Sequence, residues 1–163
     1  MNTHANNKLI AELQSFISQI PFVREVQVSV AKADKGFVQL SINPRPSLFN
    51  HFNTYQAGVI FTLAEITGGA LCGTFVDLAN NLLVTKRAEI DFFSNTDNVL
   101  IAEAKLEEVE VKQKLLNLQL KKKVELSVTV LIKSLNEEVI AKSFNSYYLR
   151  LGIPKSFHRK NNL

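Results

Sequence analysis

An α+β fold is predicted: an antiparallel sheet of about six strands curled around one long central helix, with an amphipathic helix ahead of it. Three features of the chain predict this. Stretches that alternate apolar and polar residues with period two recur along the sequence, as in strands with one buried face. Residues 55–78 are apolar on nearly every side of a helix, so that helix must be surrounded. Residues 6–20 place Leu9, Ile10, Leu13, Phe16, Ile17 and Ile20 on one helical face.

Taken in order, the helix over 6–20 is stopped by Pro21. Val26, Val28 and Val30 then alternate with Gln27 and Ser29. After a "KADKG" turn, Val38, Leu40 and Ile42 alternate with Gln39 and Ser41, which predicts a hairpin. The two prolines of "NPRPSLFNHFN" mark a loop with room for one short helical turn. The long helix follows, with Asn53 or Thr54 as its N-cap and "ANN" at 79–81 as its end. Strands are predicted over 82–93 and 98–107, joined by "SNTDN". Residues 109–123 fit two periods. Val111, Leu115 and Leu118 suit a helix, Leu116, Leu118 and Leu120 a strand, and helix is preferred. A strand over Val124–Ile132, an "LNEE" turn and a strand over 139–150 complete the sheet. Residues 152–163 read as a polar tail, and the whole chain, 1–163, as one domain.

The bulk properties exclude more than they select. The chain is 46% hydrophobic and 21% charged, ordinary for a globular protein. A net charge of +4 favours anionic partners in general, but the basic residues are scattered apart from "KKK" at 121–123 and the tail. No nucleic-acid footprint is expected. There is no zinc-type Cys/His spacing, and neither a metal nor a separate cofactor is expected. Cys72 is the only cysteine, so no internal disulfide can form, in keeping with a cytoplasmic setting. Its place in an apolar helix reads as packing rather than nucleophilic chemistry. The N-terminal "MNTHANNKLIAELQ" lacks a basic region followed by an apolar run, so no signal peptide is expected. Residues 52–76 are long enough to span a bilayer. A glutamate at the centre would cost about 2.5–3.5 kcal/mol there, and Asn53, Gln56, Thr62 and Thr67 interrupt the run, so no span is expected.

The long helix carries two oddities. Four of the six glycines in the chain, Gly58, Gly68, Gly69 and Gly73, lie in it, each costing a helix about 1 kcal/mol against alanine. They are expected to let neighbouring backbone approach closely. Glu65 is the only charged residue between Phe52 and Val76. It could reach water, or pair with Lys86 or Arg87. Otherwise a carboxylate in so apolar a segment is costly and points to acid/base chemistry.

The segment "QAGVIFTLAEITGGAL" at 56–71 resembles the central-helix motif of hotdog-fold acyl-CoA thioesterases of the phenylacetate-pathway and 4-hydroxybenzoyl-CoA thioesterase type. That motif runs His-Gly-Gly, about six further residues, then the acid of "LAD" or "LAE". Gly58 matches its second glycine and Glu65 its acid, while Gln56 stands for the histidine and Ala57 for the first glycine. Asn50 falls where such proteins often place an asparagine. "VTKRAEIDFFSNTDNVLIAEAKL" at 84–106 resembles their next strand and turn.

The resemblance implies a hotdog fold, an acyl-CoA or acyl-ACP thioester as substrate, and homodimers, often paired into tetramers, with active sites at the interface. Carried over residue by residue, it makes Glu65 the general base or nucleophile and the Gly58 N–H the oxyanion donor. Asn50 or Gln56 would orient the water or the carbonyl. Lys86, Arg87 or the tail could meet coenzyme A phosphates. Glutamine can donate a hydrogen bond but cannot act as acid or base, so a non-catalytic acyl-binding protein is the competing reading. A third follows from His51, fourteen residues before Glu65, the interval in the related hydroxyacyl-ACP dehydratases. Seven helical residues separate Gly58 from Glu65 by about 10.5 Å along the axis, too far for one carbonyl to meet both in one chain. A second copy of the helix, antiparallel across a two-fold axis, would bring them together.

Overall fold

The computed structural model describes residues 3–154; the rest of the predicted tail lies outside the described residues. Its six strands are β1 (Ser29–Asp34), β2 (Phe37–Ile42), β3 (Asn81–Phe92), β4 (Leu100–Lys105), β5 (Lys123–Ser134) and β6 (Val139–Leu151). They form one sheet in the order β1-β2-β4-β5-β6-β3, every neighbouring pair antiparallel. The helices are α1 (Thr3–Ile17), α2 (Pro21–Val26), α3 (Ala57–Gly73) and α4 (Glu108–Lys121). α3 packs against β2, β3, β4, β5 and β6, so the sheet curls around it.

Alternation decides which face is buried. Val38, Leu40 and Ile42 of β2, Leu100, Ala102 and Ala104 of β4, and Leu126, Val128, Val130 and Ile132 of β5 are all buried. They meet Leu63, Ala64, Leu71 and Cys72 of α3 in one core. No helix among the described residues is long and apolar enough to cross a membrane.

Several expectations need correction. Pro21 ends α1 but also opens α2, where its fixed φ and missing N–H suit the first helical position. Val26 therefore closes α2, Gln27 turns left-handed at φ 60°, and β1 begins at Ser29. α3 is shorter than 55–78 at both ends. Asn53 is left-handed at φ 59° inside a turn, so the N-cap is Gln56, whose Oε1 accepts from the N–H of Val59 at 3.2 Å. At the other end Thr74 Oγ1 donates to Leu71 O at 2.8 Å and accepts from Gly36 N–H at 3.1 Å, and the chain leaves the helix there. The helix preferred over 109–123 is present as α4, with Val111 and Leu118 buried, but it ends at Lys121 and β5 begins at Lys123.

The two sheet edges differ. Gln14 of α1 lies along the outer edge of β1: its Oε1 accepts from Val30 N–H at 2.8 Å and its Nε2 donates to Val28 O at 3.2 Å. That edge is partly closed to another strand. Among the described residues β3 pairs only with β6, and no strand lies along the outer edge of its twelve residues.

Candidate active site

A helix surrounded on all sides would bury Phe61, Leu63, Ile66, Leu71 and Phe75 alike. Leu63 and Leu71 are buried, but Ile66 and Phe75 are half-buried and Phe61 is 37% exposed. A curved sheet covers a helix on one side, and here one stripe of α3 stays open. Ala57, Phe61, Glu65 and Gly69 succeed one another along it at four-residue spacing. Glu65 is thus half-buried on the open stripe rather than enclosed by the core.

Glu65 is held at both ends. Its backbone carbonyl accepts from Tyr147 Oη at 2.6 Å, and its carboxylate oxygen Oε1 accepts from Thr85 Oγ1 of β3. One residue earlier, Ala64 O accepts from Asn145 Nδ2 at 3.3 Å. Ser143 Oγ donates in turn to Asn145 Oδ1 at 2.8 Å. A buried polar row on β6 thus pins α3 in rotation and height. Burial and the neighbouring Glu65 charge both hold the Tyr147 phenol far above its ordinary pKa, so it stays a donor. The row needs a glycine: a Cβ on Gly68 would collide with Tyr147 Oη and lie 2.9 Å from its ring carbons.

Lys86 and Arg87 do not pair with Glu65. Lys86 meets Glu125 at 2.6 Å and Arg87 meets Glu89, both on the exposed surface. The carboxylate instead faces a cavity of about 110 Å³, lined by apolar side chains that include Phe16, Ile20, Ile66 and Leu83. Among the described residues Glu65 is its only charged lining residue.

Gly58 is the second residue of α3 and is exposed. The first backbone bonds of the helix run from Val59 and Ile60 to Gln56 O, so the Gly58 N–H precedes them. It makes no hydrogen bond among the described residues, and it lies at the positive end of the helix dipole. Gln56 folds over it: a Cβ on Gly58 would lie 2.7 Å from Gln56 Oε1.

Asn50 organises the approach to the helix. Its Nδ2 donates to Thr54 Oγ1 at 3.1 Å and Tyr55 O at 3.3 Å, and its Oδ1 accepts from Phe52 N–H at 2.8 Å. Tyr55 N–H donates to Thr96 O and Gln56 N–H to Leu48 O, which clamps the first turn from both sides. His51 is exposed, its ring against Phe52 at 3.9 Å between centroids, and it does not line the cavity at Glu65. Cys72 is fully buried, and burial pushes its thiol up to about 12, which leaves it inert. Thr85, Asn145 and Tyr147 were not singled out from the sequence. The signal was there for two of them: Asn145 and Tyr147 occupy inward positions of an alternating strand.

A six-stranded antiparallel sheet of this order wrapped on one helix is the hotdog architecture of thioesterase-like proteins. The chain belongs to the DUF4442 family, a domain of unknown function, whose model matches residues 11–147. Among solved structures it is similar to PA5026 of Pseudomonas aeruginosa, a protein of unknown function described as a probable thioesterase. The two are 28% identical with a TM-score of 0.75, over 85% of this chain and 93% of that one. A Shewanella oneidensis thioesterase candidate is 19% identical with a TM-score of 0.77, over 91% of this chain and 99% of that one. The Escherichia coli PaaI protein of the phenylacetic acid degradation operon is 14% identical with a TM-score of 0.66, over 90% and 95%. At the last two identities the likeness concerns the fold. No curated protein matches the chain.

Proposed function

We propose that the protein hydrolyses an acyl thioester of coenzyme A or acyl carrier protein, at a site shared by two copies of the chain. The observation that carries this reading is Glu65, the one carboxylate on the open stripe of α3, braced by Thr85 and facing an apolar cavity. Thr85 occupies one carboxylate oxygen and leaves the other for a water. Glu65 takes a proton from that water as its oxygen adds to the thioester carbonyl carbon. The oxyanion that forms is met by the Gly58 N–H of the second copy. The C–S bond then breaks, the carboxylic acid is released, and the proton on Glu65 passes to the thiolate. Asn50 serves as a positioning residue for the first turn of α3, and the Gln56 amide lies beside the oxyanion donor.

The shared site follows from the axial gap of about 10.5 Å between Gly58 and Glu65. Two further features support a dimer. Among the described residues no strand lies on the outer edge of β3 while Gln14 lies along β1, and the open stripe of α3 carries exposed Phe61. Pairing across β3 would extend the sheet and face the two α3 stripes toward each other.

A screen of acyl-CoA and acyl-ACP thioesters, reading free thiol, tests the reading. Hydrolysis by the wild type should fall at least about 100-fold in a folded Glu65→Gln variant, the lower end of what a general base supplies. Near-normal turnover in that variant would remove Glu65 from the chemistry. One observation favours a second reading, a non-catalytic acyl binder: Gln56, which cannot move a proton, stands at the head of the helix. Tight acyl binding by a wild type that hydrolyses nothing would establish it.

A further inference from the structure

The cavity at Glu65 is one of three spaces beside α1; a second, of about 240 Å³, lies toward α2 and shares Ile17 with it. A larger groove, about 830 Å³, lies between α1 and the turn that follows α3, with Leu9, Leu13, Phe75 and Leu78 among its lining residues. Phe16 lines both this groove and the cavity at Glu65, and no other described residue does. Its side chain is half-buried against the core and is the part of the lining that the two spaces share. We propose that the acyl chain of the thioester lies in the cavity at Glu65 and that Phe16 sets its length by closing the cavity off from the groove. This rests on the hydrolase reading and adds a specificity-determining residue to it.

The lining explains the choice of ligand. Apart from Glu65, Thr85 and the Tyr147 hydroxyl, which donates to Glu65 O, the walls are apolar side chains and Gly69. An acyl chain would be desolvated there with its carbonyl at the carboxylate. The volume sets the size. At 110 Å³ the cavity is smaller than the roughly 150 Å³ that encloses a benzene, and takes about four groups of water size. On this proposal, truncating Phe16 joins the two spaces, and each methylene newly buried should strengthen binding about fourfold. Gly69 of α3 lines the same cavity. A Cβ there would meet Leu83 and Tyr147 only at 3.8 Å, so a larger side chain at 69 would extend into the cavity.

The test is the kcat/KM profile over straight-chain acyl-CoAs from acetyl to palmitoyl, for the wild type, Phe16→Ala and Gly69→Val. The wild type should peak at butanoyl-CoA or near it. Phe16→Ala should raise kcat/KM for dodecanoyl-CoA by at least about tenfold, two or three extra methylenes at that increment. Gly69→Val should move the peak toward acetyl-CoA. If Phe16→Ala fails to fold, Gly69→Val reads the same cavity from α3. Profiles that superimpose while hydrolysis stays dependent on Glu65 would overturn the proposal and leave the hydrolase reading standing. If no thioester is hydrolysed, the hydrolase reading falls. Calorimetry with S-butyl- and S-dodecyl-pantetheine, which carry the arm common to both carriers, then decides the cavity. A preference for the longer chain that appears only in Phe16→Ala supports the proposal, and equal preference in all three proteins overturns it.

Discussion

Two adjacent glycines on α3 have different surroundings. At Gly68 an added Cβ would strike Tyr147, the residue whose hydroxyl holds the Glu65 carbonyl. At Gly69 it would meet only ordinary contacts at 3.8 Å. Gly68→Ala should therefore destabilise by about 1–3 kcal/mol in urea denaturation, the range for overpacking a core. Gly69→Ala should be neutral or stabilise by up to about 1 kcal/mol, the helix-propensity gain. Equal shifts for the two would mean that Tyr147 yields freely and that the polar row on β6 does not fix α3. At this scale the sequence was half legible. Glu65, Gly58 and Cys72 stood out because charge, glycine and sulfur are rare in an apolar helix. Thr85 did not, because a hydroxyl on a strand is common. It becomes visible only when β3 is folded beside α3.

At the scale of elements, the period-two runs identified the strands and the all-round apolarity identified α3, because both are properties of consecutive residues. The ends were less legible, because tertiary partners set them. Thr74 terminates α3 partly by receiving Gly36 N–H from the β1–β2 turn, thirty-eight residues away in sequence. Pro21 opens a helix as readily as it closes one, so α2 was hidden behind the alternation of Val26 with Val28. The link between α1 and β1 was also not legible, since nothing in a helical glutamine says which backbone it will meet. Gln14 makes two hydrogen bonds to the β1 edge. Gln14→Ala should cost about 1–2 kcal/mol, on the usual net worth of such bonds. It should also speed exchange of the Val30 amide relative to that of Leu40, read by hydrogen exchange. Unchanged protection at Val30 would show that the edge is closed by something else.

For the whole molecule, the free edge of β3 and the open stripe of α3 follow from one asymmetry: the sheet covers one side of the helix and α1 covers one edge of the sheet. With the roles given to Gly58 and Glu65, helix geometry asks for a shared site, but it does not say which edge would be left free. A site made by two chains has a consequence that a one-chain site lacks. Glu65→Gln and Gly58→Pro should each be inactive; the second removes the proposed N–H donor at a first-turn position where proline is tolerated. Each is first shown to form dimers, and the two are then co-expressed. A mixed dimer has one site with both defects and one with neither. Activity should return to about half of wild type per mixed dimer, or about a quarter overall with random pairing. A mixture of intact dimers that stays as inactive as its parents would contradict the shared site.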